Sequence, residues 1–365
     1  MGALKDLYSP IFYNKLSAVL VKTIPSFDKQ LFVNKIYSDG FEQMELKQRM
    51  RHTTVTLHDF MPSDYKKAVV LIEKTIAQLR KENFGEDGLV FIFIPDYIEV
   101  YGIDDFETSA DAIEMVTQFV SCEFAVRPFL AKYHQQMMDR MRIWSKHENH
   151  KVRRLSSEGI RPALPWAMAV PQLKASPEAI LEILENMKND PSEWVRKSVA
   201  NNLNDISKKY PDHFLEKAIA WKNIGKETDA IIKHGARTLL KKGHPEILDY
   251  YGLNSNGIAF SDFDLLTPKV RTGENLTFSF GIQNDAEPRK IRLEYAIYYA
   301  MQNNKLSKKV FKISERIFGP QEKYTIVRHQ KFTPITTRKF YSGTHYIAVI
   351  VNGSEQEKVA FDLLA

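Results

Sequence analysis

Cysteine is almost absent from this 365-residue sequence, since Cys122 is the only one. A single thiol cannot form a disulfide within the chain, and it excludes iron–sulfur and multi-cysteine zinc sites, which need several cysteine ligands. Such cysteine usage is typical of a reducing compartment. The sequence therefore predicts an intracellular protein whose fold depends on packing rather than on covalent cross-links.

Long apolar runs are also missing. If tyrosine is not counted, the longest unbroken run extends from Leu89 to Ile94, whereas a membrane-spanning helix needs roughly 20 residues. The N-terminal segment MGALKDLYSPIF lacks the continuous apolar stretch of a signal peptide. We therefore expect a cytoplasmic protein with no membrane partner.

The common motifs of nucleotide-driven and metal-dependent chemistry are not found. The sequence contains no P-loop, no G-x-G-x-x-G, no H-E-x-x-H and no G-x-S-x-G. His147 and His150 could share a helical face, but two histidines without a third ligand are more typical of a surface than of a metal site. We expect neither a metal ion nor another cofactor.

Positive charge is in modest excess and is unevenly distributed. The net charge is +6, and residues 257–365 hold 16 Lys and Arg against 11 Asp and Glu. A second basic cluster contains Arg140, Arg142, Lys146, Lys151, Arg153, Arg154 and Arg161. Basic clusters on a nearly balanced chain indicate either a localised polyanion-binding surface or an ordinary solvated face.

Residues 1–256 are predicted to form a helical domain. Apolar residues recur at helical spacing, as at Ile180, Ile183 and Leu184, and proline or glycine turns separate the segments. A weak internal repeat aligns VRRLSSEGI (152–160) with VRKSVANNL (195–203), and IIKHGARTL (231–239) follows. The offsets of 43 and 36 residues are typical of HEAT-type helical repeats.

The repeat predicts a polar, mostly cationic stripe opposite the apolar face of its helices. Val195, Val199 and Leu203 share one side of their helix. The residues predicted on the opposite stripe are Arg154, Glu158, Lys197, Asn201, Asp205, Lys233, Arg237 and Lys241. Stacked repeats would align these residues into one surface.

Residues 257–365 are predicted to form an all-β domain. Short alternating segments run from LTFSFGI (276–282) to EKVAFDL (357–363), and turn-rich junctions such as NGS divide them. Six or seven strands in such a length are typical of an antiparallel immunoglobulin-like sandwich. The sequence thus favours a helical solenoid followed by a disulfide-free sandwich.

Two acidic residues are candidates for chemistry. Glu158 lies four residues after Arg154 and is followed by Arg161 and by a proline-bounded loop with Trp166; the alternative is an ordinary Arg154–Glu158 pair with the indole in the core. Glu123 lies in the apolar segment VTQFVSCEFAVRPFL (116–130). Because buried acids need partners, Glu123 either lies on an exposed stripe or is functional, and Arg127, four residues on, offers a structural partner.

These residues give the chain a family resemblance. The segments VRRLSSEGIRPALPW, EWVRKSVANNLNDISK and SADAIEMVTQFVSCEFAVRPFL resemble the HEAT-like repeat alkylpurine DNA glycosylases. The appended immunoglobulin-like domain is similar to that of the AlkC branch and is absent from the single-domain AlkD-type members. The resemblance extends over essentially the whole chain.

The resemblance implies an activity and a set of site residues. It implies a monomeric, cofactor-free and monofunctional enzyme that releases cationic bases, chiefly 3-methyladenine and 3-methylcytosine, from double-stranded DNA and leaves an abasic site. It implies Glu123 and Glu158 as catalytic carboxylates, Trp166 as the aromatic near the lesion and Asp205 as a further acid. The implied and expected DNA-binding residues together are Lys151, Arg153, Arg154, Arg161, Arg196, Lys197, Asn201, Lys233 and Arg237.

The chemistry expected of such a site is electrostatic. A base methylated at N3 is cationic and leaves readily, and a carboxylate near C1′ would stabilise the positive charge that builds on the sugar and activate water. Trp194 is expected to be a packing residue. Two alternatives stay open, a HEAT-repeat scaffold for nucleic acid or protein and, less favoured without a secretion signal, a glycan-binding protein.

Overall fold

The structure, a computed structural model, describes residues 3–38, 40–285, 287–303, 305–334 and 339–364. The chain divides into two compact units, Met1–Gly235 and Ala236–Ala365. The expected domain boundary between residues 256 and 257 lies later in the chain, where the helices end and the strands begin. The last two helices belong to the second unit, in which Gly243 and Leu248 lie close to Gly353.

The first unit is helical throughout the described residues. Three short 3-10 helices lie at Leu4–Leu7, Phe41–Gln43 and Leu89–Phe91. The α-helices are α1 (Pro10–Thr23), α2 (Lys29–Ile36), α3 (Leu46–His58), α4 (Tyr65–Lys81), α5 (Phe93–Tyr101), α6 (Phe106–Thr117), α7 (Val126–Lys132), α8 (His134–Trp144), α9 (His150–Glu158), α10 (Pro171–Ala175), α11 (Glu178–Glu185), α12 (Glu193–Ser207), α13 (Pro211–Ala220) and α14 (Lys226–Gly235).

Local sequence explains where the important helices begin and end. The side chain of Asn149 accepts a hydrogen bond from the backbone of Lys151 and caps α9. The helix ends at Gly159, where a Cβ atom would lie 2.8 Å from Val126 Cγ1. Only glycine therefore allows the end of α9 to approach α7 this closely.

The repeats stack through the buried faces of their helices. α9 packs against α8, α11 and α12, and α12 packs in turn against α13 and α14. The predicted apolar face of α12 is confirmed, since Val195, Val199 and Leu203 are each at most 1% exposed. This stacking places the end of α9 beside the middle of α12, where Ser198 donates to Glu158 and Asn202 donates to the carbonyl of Ser157.

The second unit combines two helices with a β-sandwich. Its helices are α15 (Arg237–Lys242) and α16 (Pro245–Tyr250). Its strands are β1 (Ile258–Leu265), β2 (Lys269–Arg271), β3 (Asn275–Asn284), β4 (Arg289–Ala300), β5 (Leu306–Phe318), β6 (Lys323–Lys331), β7 (Gly343–Val351), β8 (Ser354–Glu355) and β9 (Val359–Leu364).

In the described residues the strands form two sheets. One sheet has the order β1-β3-β6 and the other β2-β9-β7-β4-β5, with β8 paired to β7. β2 pairs with β9 in parallel, whereas the other neighbours are antiparallel. Aromatic side chains such as Phe278, Phe280 and Phe361 fill the space between the sheets. The predicted combination of HEAT-like helical repeats and an immunoglobulin-like domain is confirmed.

Sequence patterns located six of these strands and missed β1, β2 and β8. The missed strands alternate poorly, because β1 buries none of its residues fully and β2 and β8 are three and two residues long. Residue Arg338, one of the cations counted in the basic C-terminal region, lies outside the described residues. Across the described residues, no helix is both long enough and apolar enough to cross a membrane.

Candidate active site

Glu158, at the end of α9, forms a charged network with α12 and with the loop that follows it. Arg161 Nη1 donates to Glu158 Oε1 at 2.7 Å, and Arg161 Nε donates to Asp205 Oδ2 at 2.9 Å. Ser198 Oγ donates to Glu158 Oε2 at 2.6 Å, and Lys208 Nζ donates to Asp205 Oδ1 at 2.9 Å. Both oxygens of each carboxylate are therefore occupied.

This network is buried and strongly coupled. Glu158 and Asp205 are each 6% exposed and Arg161 is 8% exposed. Burial lowers the pKa of Arg161, but the charges of Glu158 and Asp205 outweigh it and raise the pKa above its ordinary value. One guanidinium thus serves two buried acids, and Lys208, whose side chain is 43% exposed, supplies the second positive charge.

Glu123 lies in a different environment. Its Oε2 accepts hydrogen bonds from Ser121 Oγ at 3.1 Å and from Arg154 Nη1 at 2.8 Å. Its Oε1 accepts no bond from any residue that the structure describes, and the side chain is 19% exposed. Arg154 in turn stacks on Trp194, with its guanidinium carbon 4.5 Å from the ring centroid. Glu123 is therefore the predicted carboxylate that has a free, accessible oxygen.

Three structural alternatives weighed from the sequence are wrong. Arg127 does not pair with Glu123, because its guanidinium points to the backbone carbonyls of Gly159, Arg161 and Met168. Arg154 pairs with Glu123 rather than with Glu158. The third alternative, an indole buried in the core, is wrong because the side chain of Trp166 is 64% exposed. Helical spacing places two residues on one face, but it does not show which neighbouring helix supplies their partners.

Trp166 is exposed and held in an unusual conformation. Its side chain is 64% exposed, and its φ angle is 64°, in the left-handed region that bulky residues rarely adopt. The carbonyl oxygen of Trp166 accepts a hydrogen bond from Lys47 Nζ, which also lies 4.9 Å from the centroid of Phe124. A strained backbone that exposes a large aromatic side chain is more typical of a binding site than of a scaffold.

The basic cluster around α9 is largely neutralised by carboxylates. Lys151 pairs with Glu86 and Asp87, and Arg153 forms two hydrogen bonds to Asp190. Together with Arg154 and Arg161, these cations were expected to contact DNA. That role stays a prediction, and in the structure each of these four cations pairs with an acid.

The predicted cations on α12 are more accessible. Lys197 is exposed. Arg196 Nη1 donates hydrogen bonds to the backbone carbonyls of Asp190 and Pro191, each at 2.8 Å. Both line a groove of about 420 Å³ with Lys226 of α14.

The other residues of the predicted stripe have varied environments. Asn201 Oδ1 lies 3.1 Å from His234 Nε2. Lys233 is half-buried on α14, and Arg237 is half-buried on α15 in the second unit.

The two histidines weighed as metal ligands have other contacts. His147 Nδ1 accepts a hydrogen bond from the backbone of Asn149, and His150 lies 6.1 Å from Trp194 between ring centroids. Within the described ranges, no cluster of three or more His, Cys, Asp or Glu residues could hold a metal ion.

Sequence reasoning missed several members of the site. Ser121 and Ser198 each donate to a predicted catalytic carboxylate, and Lys47 holds the backbone of Trp166 from 119 residues away. A small polar residue on the apolar face of a helix, as Ser198 is among Val195 and Val199, was the one available signal.

Comparisons with known proteins show which proteins this chain is similar to. The family profile described as DNA alkylation repair enzyme matches residues 105–237, which include both Glu123 and Asp205. The profile described as the C-terminal immunoglobulin-like domain of the uncharacterised protein YhaZ matches residues 259–365. The uncharacterised protein YhaZ of Bacillus subtilis is 40% identical to this chain over 365 residues, which is the full length of both.

A solved structure gives the most specific similarity. The alkylpurine DNA glycosylase AlkC of Pseudomonas fluorescens, bound to DNA containing an abasic site analog, is 33% identical to this chain. The two structures superpose with a TM-score of 0.93, and the match covers 100% of each chain. The chain therefore belongs to the AlkC-type alkylpurine DNA glycosylases within the DNA alkylation repair enzyme family.

Proposed function

We propose that this protein is a monofunctional DNA glycosylase that hydrolyses the N-glycosidic bond of cationic alkylated bases. The observation that carries the proposal is the carboxylate of Glu123, which is partly exposed and has one oxygen free of hydrogen bonds. Glu123 lies in the segment that the DNA alkylation repair profile matches. The expected substrates are 3-methyladenine and 3-methylcytosine in double-stranded DNA. The enzyme acts as a monomer. It needs no cofactor, because a cationic base already leaves readily.

Glu123 faces the anomeric carbon in this proposal. As the bond to the base breaks, positive charge develops on the sugar, and the free Oε1 stabilises that charge and orients the attacking water. Arg154 and Ser121 hold the other oxygen, so the carboxylate is preorganised before DNA arrives. Loss of such a group costs about 3 kcal/mol of transition-state stabilisation.

Glu158 and Asp205 act as a buried source of negative potential. Their oxygens are occupied, so neither is available to activate water directly. Two carboxylates share the buried Arg161, and the cation that balances the second, Lys208, is 43% exposed, so water screens it more than it screens the buried negative charge. That charge favours both the cationic base and the developing cationic sugar.

Trp166 supplies an aromatic face for the damaged base. A cationic ring stacks on an indole with about 0.5–2 kcal/mol of cation–π attraction. The exposure of Trp166 supports this role, and the hydrogen bond from Lys47 to its carbonyl oxygen holds the loop. A neutral base lacks the charge that both the indole and the acids recognise, so discrimination depends largely on base charge.

The DNA backbone binds along α12 and α14 in this proposal. Arg196 and Lys197 line a groove together with Lys226, Glu193 and Glu227, and Asn201 and Lys233 extend the polar surface of the first unit. Phosphate contacts of this kind position the duplex without reading sequence. Arg153, Arg154 and Arg161 also position acids, and their contact with DNA stays a prediction.

The test is excision from duplexes that each carry a single defined base. Single-turnover reactions with 3-methyladenine, 3-methylcytosine or unmodified adenine should release only the two alkylated bases. The abasic strand should stay intact until alkali is added, since no lyase step is proposed. Strand cleavage without alkali, or DNA binding without any release, would favour a lyase or a scaffold instead.

A further inference from the structure

Arg127, on α7, is a buried cation whose hydrogen bonds all go to one loop. Its side chain is 1% exposed. Arg127 Nη1 donates to Gly159 O at 2.9 Å and to Arg161 O at 2.8 Å, and Nε donates to Met168 O at 3.1 Å. A single guanidinium thus fastens both ends of the segment that follows α9.

No carboxylate compensates this charge. Among the described residues, none of the Asp or Glu side chains lies within 4.0 Å of Arg127. Burial, assisted by the nearby charge of Arg161, lowers the pKa of Arg127 to about 10. Because a buried cation without an anion is costly, the backbone hydrogen bonds must compensate for its desolvation.

The fastened loop carries the groups assigned to catalysis. Residues 159–168 hold Arg161, which orients two acids, and Trp166, whose φ of 64° needs external support. Arg127 itself lies four residues after Glu123. The same side chain therefore connects the segment of the accessible carboxylate to the loop of the indole.

We propose that Arg127 is a positioning residue, which fixes the loop 159–168 relative to the Glu123 segment and thereby accelerates base release without binding DNA. This inference rests on the proposed glycosylase function. It assigns to Arg127 a role in the chemical step rather than in affinity, because its guanidinium is buried away from solvent and contacts no accessible surface.

The planar guanidinium is what the geometry requires. Three carbonyls from three residues accept from two of its nitrogen atoms, and lysine offers only one nitrogen at the end of a flexible stem. Arg127→Lys keeps a basic side chain and most of the volume but cannot hold all three carbonyls. The variant therefore tests the geometry of the three hydrogen bonds without leaving a cavity.

The experiment compares full-length wild type, Arg127→Lys and Arg127→Ala on a duplex with one 3-methyladenine. The single-turnover release rate of Arg127→Lys should fall roughly 100-fold, as for other small misplacements of catalytic groups. The Kd for a duplex with an abasic site analog should change less than about twofold, since only the transition state is affected. Added methylguanidinium should restore part of the rate of Arg127→Ala.

Arg49 provides a matched control. It is also buried, at 5% exposed, and donates to the backbone carbonyls of Lys5, Glu42 and Met44, none of which belongs to the site. Arg49→Lys should lower the midpoint of denaturant unfolding and leave the release rate unchanged. It therefore measures the effect of losing a buried guanidinium in general.

Each outcome decides one of the two proposals. A wild type that releases no base contradicts the proposed function itself. An active wild type with an equally active Arg127→Lys overturns the positioning role, as does an equal slowing by Arg49→Lys or a parallel loss of DNA affinity. If Arg127→Ala does not fold, Arg127→Lys decides alone.

Discussion

Glu158 and Asp205, 47 residues apart on neighbouring helices, are joined by the guanidinium of Arg161, which lies 2.7 Å from one carboxylate and 2.9 Å from the other. All three groups are nearly buried. Buried acids of this kind are stable only while their partner is present. The relationship therefore links the packing of α9 and α12 to the electrostatics of the proposed site.

Replacement of Arg161 should destabilise the first unit. Arg161→Met leaves two buried carboxylates without their shared cation, and such losses cost about 3–5 kcal/mol. Denaturant unfolding followed by circular dichroism measures the effect. Arg142→Met is the control, because Arg142 pairs with the exposed Glu182 and should matter little. Equal stability of the two variants would contradict a structural role for the network.

Loss of the Glu123 charge should slow chemistry and spare binding. Glu123→Gln keeps the volume and can still accept from Arg154, but it cannot stabilise a cationic sugar. Single-turnover release should fall by about 10²–10³-fold, the usual effect of one electrostatic group. The Kd for abasic-site DNA should stay near that of wild type. A wild-type release rate in this variant would remove Glu123 from the mechanism.

Trp166 should be dispensable for folding and needed for base recognition. Trp166→Ala removes an indole that is 64% exposed, so the free energy of unfolding should change little. Release of 3-methyladenine should slow by the equivalent of about 0.5–2 kcal/mol, the range of a cation–π contact. Trp221→Ala, at a residue that is 1% exposed, should instead destabilise the fold. Strong unfolding by Trp166→Ala would show that the indole packs after all.

Lys197 should contribute to DNA affinity through phosphate contact alone. Lys197→Ala should weaken binding equally for duplexes of different sequence and reduce the slope of log K against log salt by about 0.9. Lys74, exposed on α4, is the control. An effect limited to one sequence would indicate base contact and contradict the assignment.

Acid should destabilise the second unit through His345. This residue is 0% exposed, and burial lowers its pKa below the ordinary value of 6.5. The unfolded chain therefore takes up a proton at a pH where the folded chain does not. Stability from this group is fully present above about pH 6.5 and decreases as the pH falls from there toward the folded pKa, by up to about 1.4 kcal/mol per pH unit.

The contacts of His345 explain why its neutral form is favoured. Nδ1 accepts from the backbone of Ala300 at 3.2 Å, and Nε2 can then donate to Tyr341 O at 2.9 Å. Urea unfolding at pH 7.5 and 5.5 should show that the free energy of unfolding falls less on acidification for His345→Gln than for wild type. His329→Gln, at an exposed position, is the control and should behave as wild type does. An unchanged acid loss in His345→Gln would contradict the assignment.

The sequence predicted the architecture because it depends on periodic patterns. The spacing of Val195, Val199 and Leu203 predicts a helix with one buried face, and the alternation in β3 and β7 predicts strands. Strand β2 has only three residues and pairs in parallel with the distant β9, so no local pattern could indicate it.

The candidate site was predictable only in part. Glu123, Glu158 and Asp205 could be named, but Arg127, Arg154 and Arg161 could each face several acids or carbonyls. Which partner each one takes depends on the angle and depth at which α7, α9 and α12 pack, and spacing along one helix carries no information about that. The exposure of Trp166 likewise follows from its loop conformation and not from its residue type.

The most direct test of the account is the product released from methylated DNA. Wild type and Glu123→Gln are incubated with methylated duplex in EDTA, and the released bases are identified by mass spectrometry. The account predicts free 3-methyladenine and intact abasic strands with wild type, and at least 100-fold slower release with Glu123→Gln. Absence of any released base with wild type, or equal release by both proteins, would contradict it.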